Sequence, residues 1–136
     1  MGNTTREKIE IKFIDLFAGL GGIRIGLEEA AQERGFVTKC VFTAEIKEAA
    51  LIALKRNFPK ERITKTDITA LNVSKLKHFS ILLAGFPCQA FSSAGKQMGL
   101  ADTRGTLFFE VARILKDRIA EVDGFILENV EGLITP

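Results

Sequence analysis

A chain of 136 residues, 46% hydrophobic and 26% charged, is long enough for one domain with a real core and hardly for two. That balance excludes a disordered tail, the apolar runs are too short to span a membrane, and the polar start from Met1 to Glu10 lacks a secretory pattern. Cys40 and Cys88 form neither a zinc spacing nor a disulfide scaffold, and a net charge of +2 is too small for a strong phosphate-binding field.

A soluble cytoplasmic domain without metal is therefore expected. The charge is uneven: residues 1–80 carry 14 basic and 10 acidic side chains, and residues 81–136 carry 5 and 7. Any nucleic acid would be held by local contacts or by another chain.

The elements alternate along the chain. Residues Ile11 to Phe17 have strand character and are stopped by Gly19, Gly21 and Gly22. Ile23, Leu27, Ala30 and Ala31 recur at helical spacing, and Gly35 is a plausible terminator. A second strand is predicted over Val37 to Thr43 and a second helix over Ile46 to Asn57, closed by Phe58-Pro59. A short third strand around Ile63 leads to Asp67, and Phe79 to Ala84 reads as a fourth strand buried on both faces. Gly105 to Ala120 is a third helix, with Phe108, Val111, Ala112, Leu115 and Ile119 on one stripe. Gly124 to Leu127 is a fifth strand.

Strands alternating with helices predict an α/β, doubly wound, mostly parallel Rossmann-like sheet of about five strands. Ligands of such sheets sit beyond the carboxyl ends of the strands, where the winding reverses. With the order 3-2-1-4-5, that point lies between strands one and four.

The loops there carry the unusual residues. Asp15-Leu16-Phe17-Ala18-Gly19-Leu20-Gly21-Gly22 puts three glycines between a strand and a helix, where a ligand can approach the backbone and helix N–H groups face it. The spacing is neither a dinucleotide fingerprint nor a P-loop. Glu45, ending strand two, suits a ribose diol, and Asp67 suits an adenine amino group. Together they describe an adenosine-containing cofactor.

The loop after strand four, Gly85-Phe86-Pro87-Cys88-Gln89-Ala90-Phe91-Ser92, puts a thiol at the same sheet edge, where a nucleophile is useful. Cys40, inside strand two, reads instead as a small apolar residue. The polar stretch from Ser92 to Gly99 resembles a flap with donors for phosphates or base edges. Strand five delivers Glu128 to this edge, where a partly desolvated carboxylate could hold or donate a proton. His78 receives no role and is expected in an exposed turn.

In order, "DLFAGLGG", Glu45 and Asp67, "GFPCQAFS" and Glu128-Asn129-Val130 resemble the cytosine carbon-5 DNA methyltransferase family. Within it they are most similar to small bacterial restriction–modification enzymes. The intervening "GKQMGLADTRGTLFFEVARIL" resembles the family's flap and following helix.

The resemblance implies S-adenosylmethionine as methyl donor, S-adenosylhomocysteine as product, and a cytosine flipped from double-stranded DNA as acceptor. It implies Cys88 as nucleophile on carbon 6, Glu128 at ring nitrogen 3, and Arg104 as a further active-site or phosphate contact. The cofactor residues it implies are Phe17, Ala18, Gly19, Leu20, Gly21, Gly22 and Ile23 for the methionine part, Glu45 and Ile46, Asp67 and Ile68, and Gly85, Pro87 and Leu107. Gln89, Ser92, Ser93, Lys96 and Gln97 are the implied DNA contacts. Ile46 stands where relatives often have a tryptophan stacked on adenine, and Ala94 where a related enzyme has a flap serine.

Family enzymes continue past Glu-Asn-Val with further strands, an arginine motif and a target-recognition region. Residues 1–136 then form a partial catalytic domain, and methyl transfer is expected to need the missing half, from a split subunit or the remainder of a truncated chain. The alternatives are an inactive remnant that binds cofactor or partner, and an RNA acceptor.

Overall fold

The computed structural model describes residues 8–86 and 106–129. Within them, four parallel strands form one sheet in the order β2-β1-β3-β4. These are β1 (Glu10–Leu16), β2 (Val37–Ala44), β3 (Ile81–Gly85) and β4 (Gly124–Glu128). The connections carry α1 (Gly22–Glu33), α2 (Glu48–Asn57) and α3 (Thr106–Asp117), with 3-10 turns at Ile68–Ala70 and Val73–Lys75.

Strand alternation divides β1 between two layers. Ile14 and Leu16 are fully buried in one core with Leu82, Ala84, Phe79 and the α3 residues Val111 and Ile114. Phe13 and Asp15 face the opposite layer, where the Arg24 guanidinium of α1 lies 5.7 Å from the Phe13 ring. A smaller cluster joins Ala18 to Leu51 and Leu54 of α2 and to Ile63. Helices thus cover both faces. In β3, Leu82, Leu83 and Ala84 are all buried, as a strand with neighbours on both sides and helices above and below requires.

The expected third strand does not form. Residues 62–67 form no ladder and are tied to the sheet edge by the Thr66 N–H donating to the Glu45 carbonyl. Ile63 is buried by packing on α2 rather than by strand pairing. The sheet therefore has four strands among the described residues, and the winding reverses at β1/β3 where the pattern placed it. Ile119 lies past the end of α3 and is exposed rather than on its buried stripe.

Arg113 of α3 and Arg118 just past its end fasten the long connection before β3. Arg113 donates to the carbonyls of Ile68 (3.1 Å) and Leu71 (3.3 Å). Arg118 donates to those of Val73 (2.9 Å) and Leu76 (3.0 Å), and it pairs with Glu121. His78 is exposed as expected, but its Nδ1 lies 2.6 Å from Glu121 Oε2.

Candidate active site

The turn after β1 is set by backbone conformation. Gly19 (φ +57°) and Gly21 (φ +85°) are left-handed, and so is Phe17 (φ +54°), a conformation that costs a bulky side chain about 1–2 kcal/mol. That strain turns Phe17 into the cleft, where its ring meets Phe86 edge-on with centroids 6.4 Å apart. At Gly21 even a Cβ is excluded, because it would stand 2.6 Å from Phe58 Cε2. The helix that follows has no side-chain cap and no acid in its first turn, so its leading N–H groups are left for another acceptor.

Glu45 sits just past β2 and is buried. Its Oε2 accepts from the Gly19 N–H at 2.9 Å, and its Oε1 accepts from the N–H groups of Ile46 and Lys47, both at 2.8 Å. One carboxylate thereby joins the glycine turn to the start of α2. Asp67 is exposed and caps the first 3-10 turn; the backbone N–H and the hydroxyl of Thr69 hold its carboxyl below the usual value.

These segments enclose a cleft of about 550 Å³ at the carboxyl edge of the sheet. It brings together Phe17, Gly19, Leu20, Glu45, Ile46, Asp67, Ile68, Gly85, Leu107 and Glu128 from the residues singled out in the sequence. Ala18, Gly21, Gly22 and Ile23 do not line it. Ala18 and Gly21 shape the turn from behind, and the Ile23 Cδ1 packs against Gly85. Ala44, Lys47, Ala50, Thr66, Phe86 and Asn129 line the cleft without having been singled out. Their signal was adjacency: Ala50 lies four residues after Ile46, in the first turn of α2, and each of the others neighbours a chosen residue.

Glu128 reaches the cleft beside Gly85, where an added Cβ would be 3.5 Å from its Oε2. Its side chain is exposed rather than partly buried: β4 ends the sheet among the described residues, and its Phe125 and Ile126 are themselves 57% and 45% exposed. Asn129 Nδ2 donates to the Phe86 carbonyl, linking the ends of β3 and β4. Pro87, Cys88, Gln89, Ser92, Ser93, Lys96, Gln97 and Arg104 lie outside the described residues. Among the described residues no group of side chains could hold a metal ion, and no helix is long and apolar enough to cross a membrane.

A second polar cluster, invisible to sequence reasoning, lies behind the turn. Arg24 is 3% exposed, donates to Glu28 at 2.8 Å, pairs with Glu61, and stacks 3.6 Å from the Phe58 ring centre. Asp15 is also buried, and its Oδ2 has no hydrogen-bond partner. Burial raises its pKa to about 7, with Arg24 opposing. Cys40 is half-buried and bonded to Phe42 O, and burial raises its thiol pKa.

A parallel sheet wound in both directions, with a strained glycine turn and a buried acid meeting beside a cleft at its switch point, defines a Rossmann-like α/β domain. Residues 11–136 match the C-5 cytosine-specific DNA methylases, and the chain belongs to that family. It is 60% identical over 126 residues to the Type II methyltransferase M.NlaIV of Neisseria lactamica, covering 93% of this chain and 29% of that protein. Against M.BanI of Aneurinibacillus aneurinilyticus the identity is 51% over 127 residues, covering 93% and 28%. The chain thus spans under a third of these relatives. A DNMT2 mutant from Spodoptera frugiperda superposes with a TM-score of 0.70 at 28% identity, covering 93% of this chain and 37% of that one.

Proposed function

We propose that these residues form the cofactor and nucleophile half of an enzyme that methylates carbon 5 of cytosine in DNA for a restriction–modification system. The observation that carries the reading is the convergence of the glycine turn, Glu45, Asp67-Ile68 and Glu128 on one cleft. S-adenosylmethionine fits the groups present. The glycine turn at Gly19 and Leu20 suits its methionine part, the buried Glu45 its ribose hydroxyls, and the apolar wall of Ile46 and Ile68 its adenine, with Asp67 at the amino group. When bound, it supplies an electrophilic methyl group.

The chain's own residues activate the acceptor. Cytosine carbon 5 is a poor nucleophile until a thiolate adds to carbon 6. Cys88 forms that sulfur–carbon bond while Glu128 shares a proton with ring nitrogen 3, which takes up the displaced electron pair. Carbon 5 then becomes enamine-like. After methylation, loss of its proton returns electrons to the ring and expels the Cys88 sulfur. Arg104 and the donors of the 89–97 stretch hold the flipped nucleotide and its phosphates.

Polypeptide beyond these residues reads the target, from a second chain or the same one. The exposed Phe125 and Ile126 on the edge strand support this, since apolar side chains there favour a cover.

The test mixes this chain with the portion of M.NlaIV beyond the matched region, labelled S-adenosylmethionine and duplex DNA. Label should enter DNA, not tRNA, and Cys88→Ser should abolish transfer. Transfer that survives Cys88→Ser refutes the covalent route; a folded chain that binds no cofactor at millimolar concentration refutes the cleft assignment.

A further inference from the structure

We infer that Arg113 is a positioning residue of the cleft, fixing the wall formed by Asp67 and Ile68; the inference rests on the cleft being the cofactor site proposed above. The Ile68 side chain is anchored by burial in the main core, but few bonds fix the backbone of that wall. Residues 62–67 make no strand ladder, and the bond from the Thr66 N–H to the Glu45 carbonyl ties its upstream end. Downstream, the 3-10 turn Ile68–Ala70 is only three residues long, with Asp67 capping it from an exposed position.

Arg113 reaches across from α3 to this turn, 45 residues away in sequence. Its Nη2 donates to the Ile68 carbonyl at 3.1 Å and its Nη1 to the Leu71 carbonyl at 3.3 Å. Glu110, one turn back on the same helix, orients the guanidinium through bonds of 2.6 and 2.9 Å. A planar fork of donors can bridge two carbonyls at once, whereas an ammonium is a single point. The other end of α3 reaches the same cleft: Leu107 lines it, and Phe108 packs on Phe86 with ring centroids 5.8 Å apart. One helix therefore fixes the cleft's floor with its first turn and the cleft's wall with Arg113.

Arg118 supplies an internal control. It makes the same kind of bonds from just past the end of α3, but to Val73 and Leu76 at the second 3-10 turn, which does not line the cleft. Loss of either arginine removes bonds between the α3 region and a 3-10 turn. Only loss of Arg113 should disturb the ligand.

The experiment measures dissociation constants of S-adenosylhomocysteine and 5′-methylthioadenosine by titration calorimetry, with circular dichroism melts for each variant. Arg113→Met should weaken both ligands by about tenfold, equivalent to about 1.4 kcal/mol. The truncated ligand shares the loss because the affected wall faces the adenine. Arg113→Lys, which folds more safely, should fall between wild type and Arg113→Met. Arg118→Met should lower the melting temperature while leaving both constants within about twofold. Wild-type affinity in Arg113→Met and Arg113→Lys, or equal weakening in Arg118→Met, overturns the positioning role. A wild-type chain that binds neither ligand overturns the cofactor reading itself, and the positioning role with it.

Discussion

Asp15→Asn should stabilise the chain, by an amount that grows with pH. Asp15 is 2% exposed, and its Oδ2 has no hydrogen-bond partner. Desolvation is the largest cause of its raised pKa of about 7; Arg24 opposes it, and the negative Glu28, Glu45 and Glu61 add to it. Below the ordinary value of 3.8, folded and unfolded chains both hold the proton. Between there and about pH 7 the unfolded chain has released it and the folded chain has not, so stability falls as pH rises. Above about 7 the folded carboxyl ionises too, and the loss levels off. Three pH units at about 1.4 kcal/mol each place the full penalty near 4 kcal/mol.

Asparagine has nearly the same shape and cannot ionise. Urea unfolding of both proteins at pH 5, 6, 7 and 8 isolates the effect. The subtraction cancels the opposite contributions of Glu48 and Asp67, whose hydrogen bonds hold their carboxyls below the usual range. The stability difference between variant and wild type should widen by about 1.4 kcal/mol per pH unit up to pH 6.5 and flatten above 7.5. A difference that stays constant from pH 5 to 8 would refute the account of Asp15 as a desolvated acid with an unpartnered Oδ2.

Gly21→Ala should cost about 2–4 kcal/mol, from a left-handed backbone and a Cβ driven into Phe58, and should lower the melting temperature by roughly 10 °C. The neighbouring Gly22→Ala, whose Cβ meets nothing within 4 Å, should be neutral or mildly stabilising in the same melts. Glu45→Gln places amide hydrogens against backbone N–H donors, so the bond to Gly19 or the pair to Ile46 and Lys47 is lost. It should cost about 2–3 kcal/mol in denaturant unfolding and weaken S-adenosylmethionine binding at least about tenfold by calorimetry.

Much of the fold was legible because it rests on local signals. Alternating apolar strands and amphipathic helices gave four of the five expected strands and all three helices, and Gly35 does end α1 in a left-handed conformation. The segment near Ile63 misled because burial and strand pairing leave the same apolar mark: Ile63 packs on α2 and forms no ladder. Glu128 misled in the opposite way, since its apolar run forms the last strand among the described residues, where Phe125 and Ile126 are exposed.

What the sequence determined by itself is the order of chemistry-bearing segments, the class of sheet and the family, because each is written in neighbouring residues and their spacing. The tertiary structure decided the fate of the polar side chains. Arg24, on a helix with ordinary amphipathic spacing, is buried because Glu61, 37 residues away, comes back to meet it. Asp15 lies buried in the same layer without a partner for its Oδ2. Arg113 reaches a cleft wall 45 residues earlier in the chain. The desolvation and pairing of a charge depend on distant segments packed against it, and a single chain of letters does not record that contact.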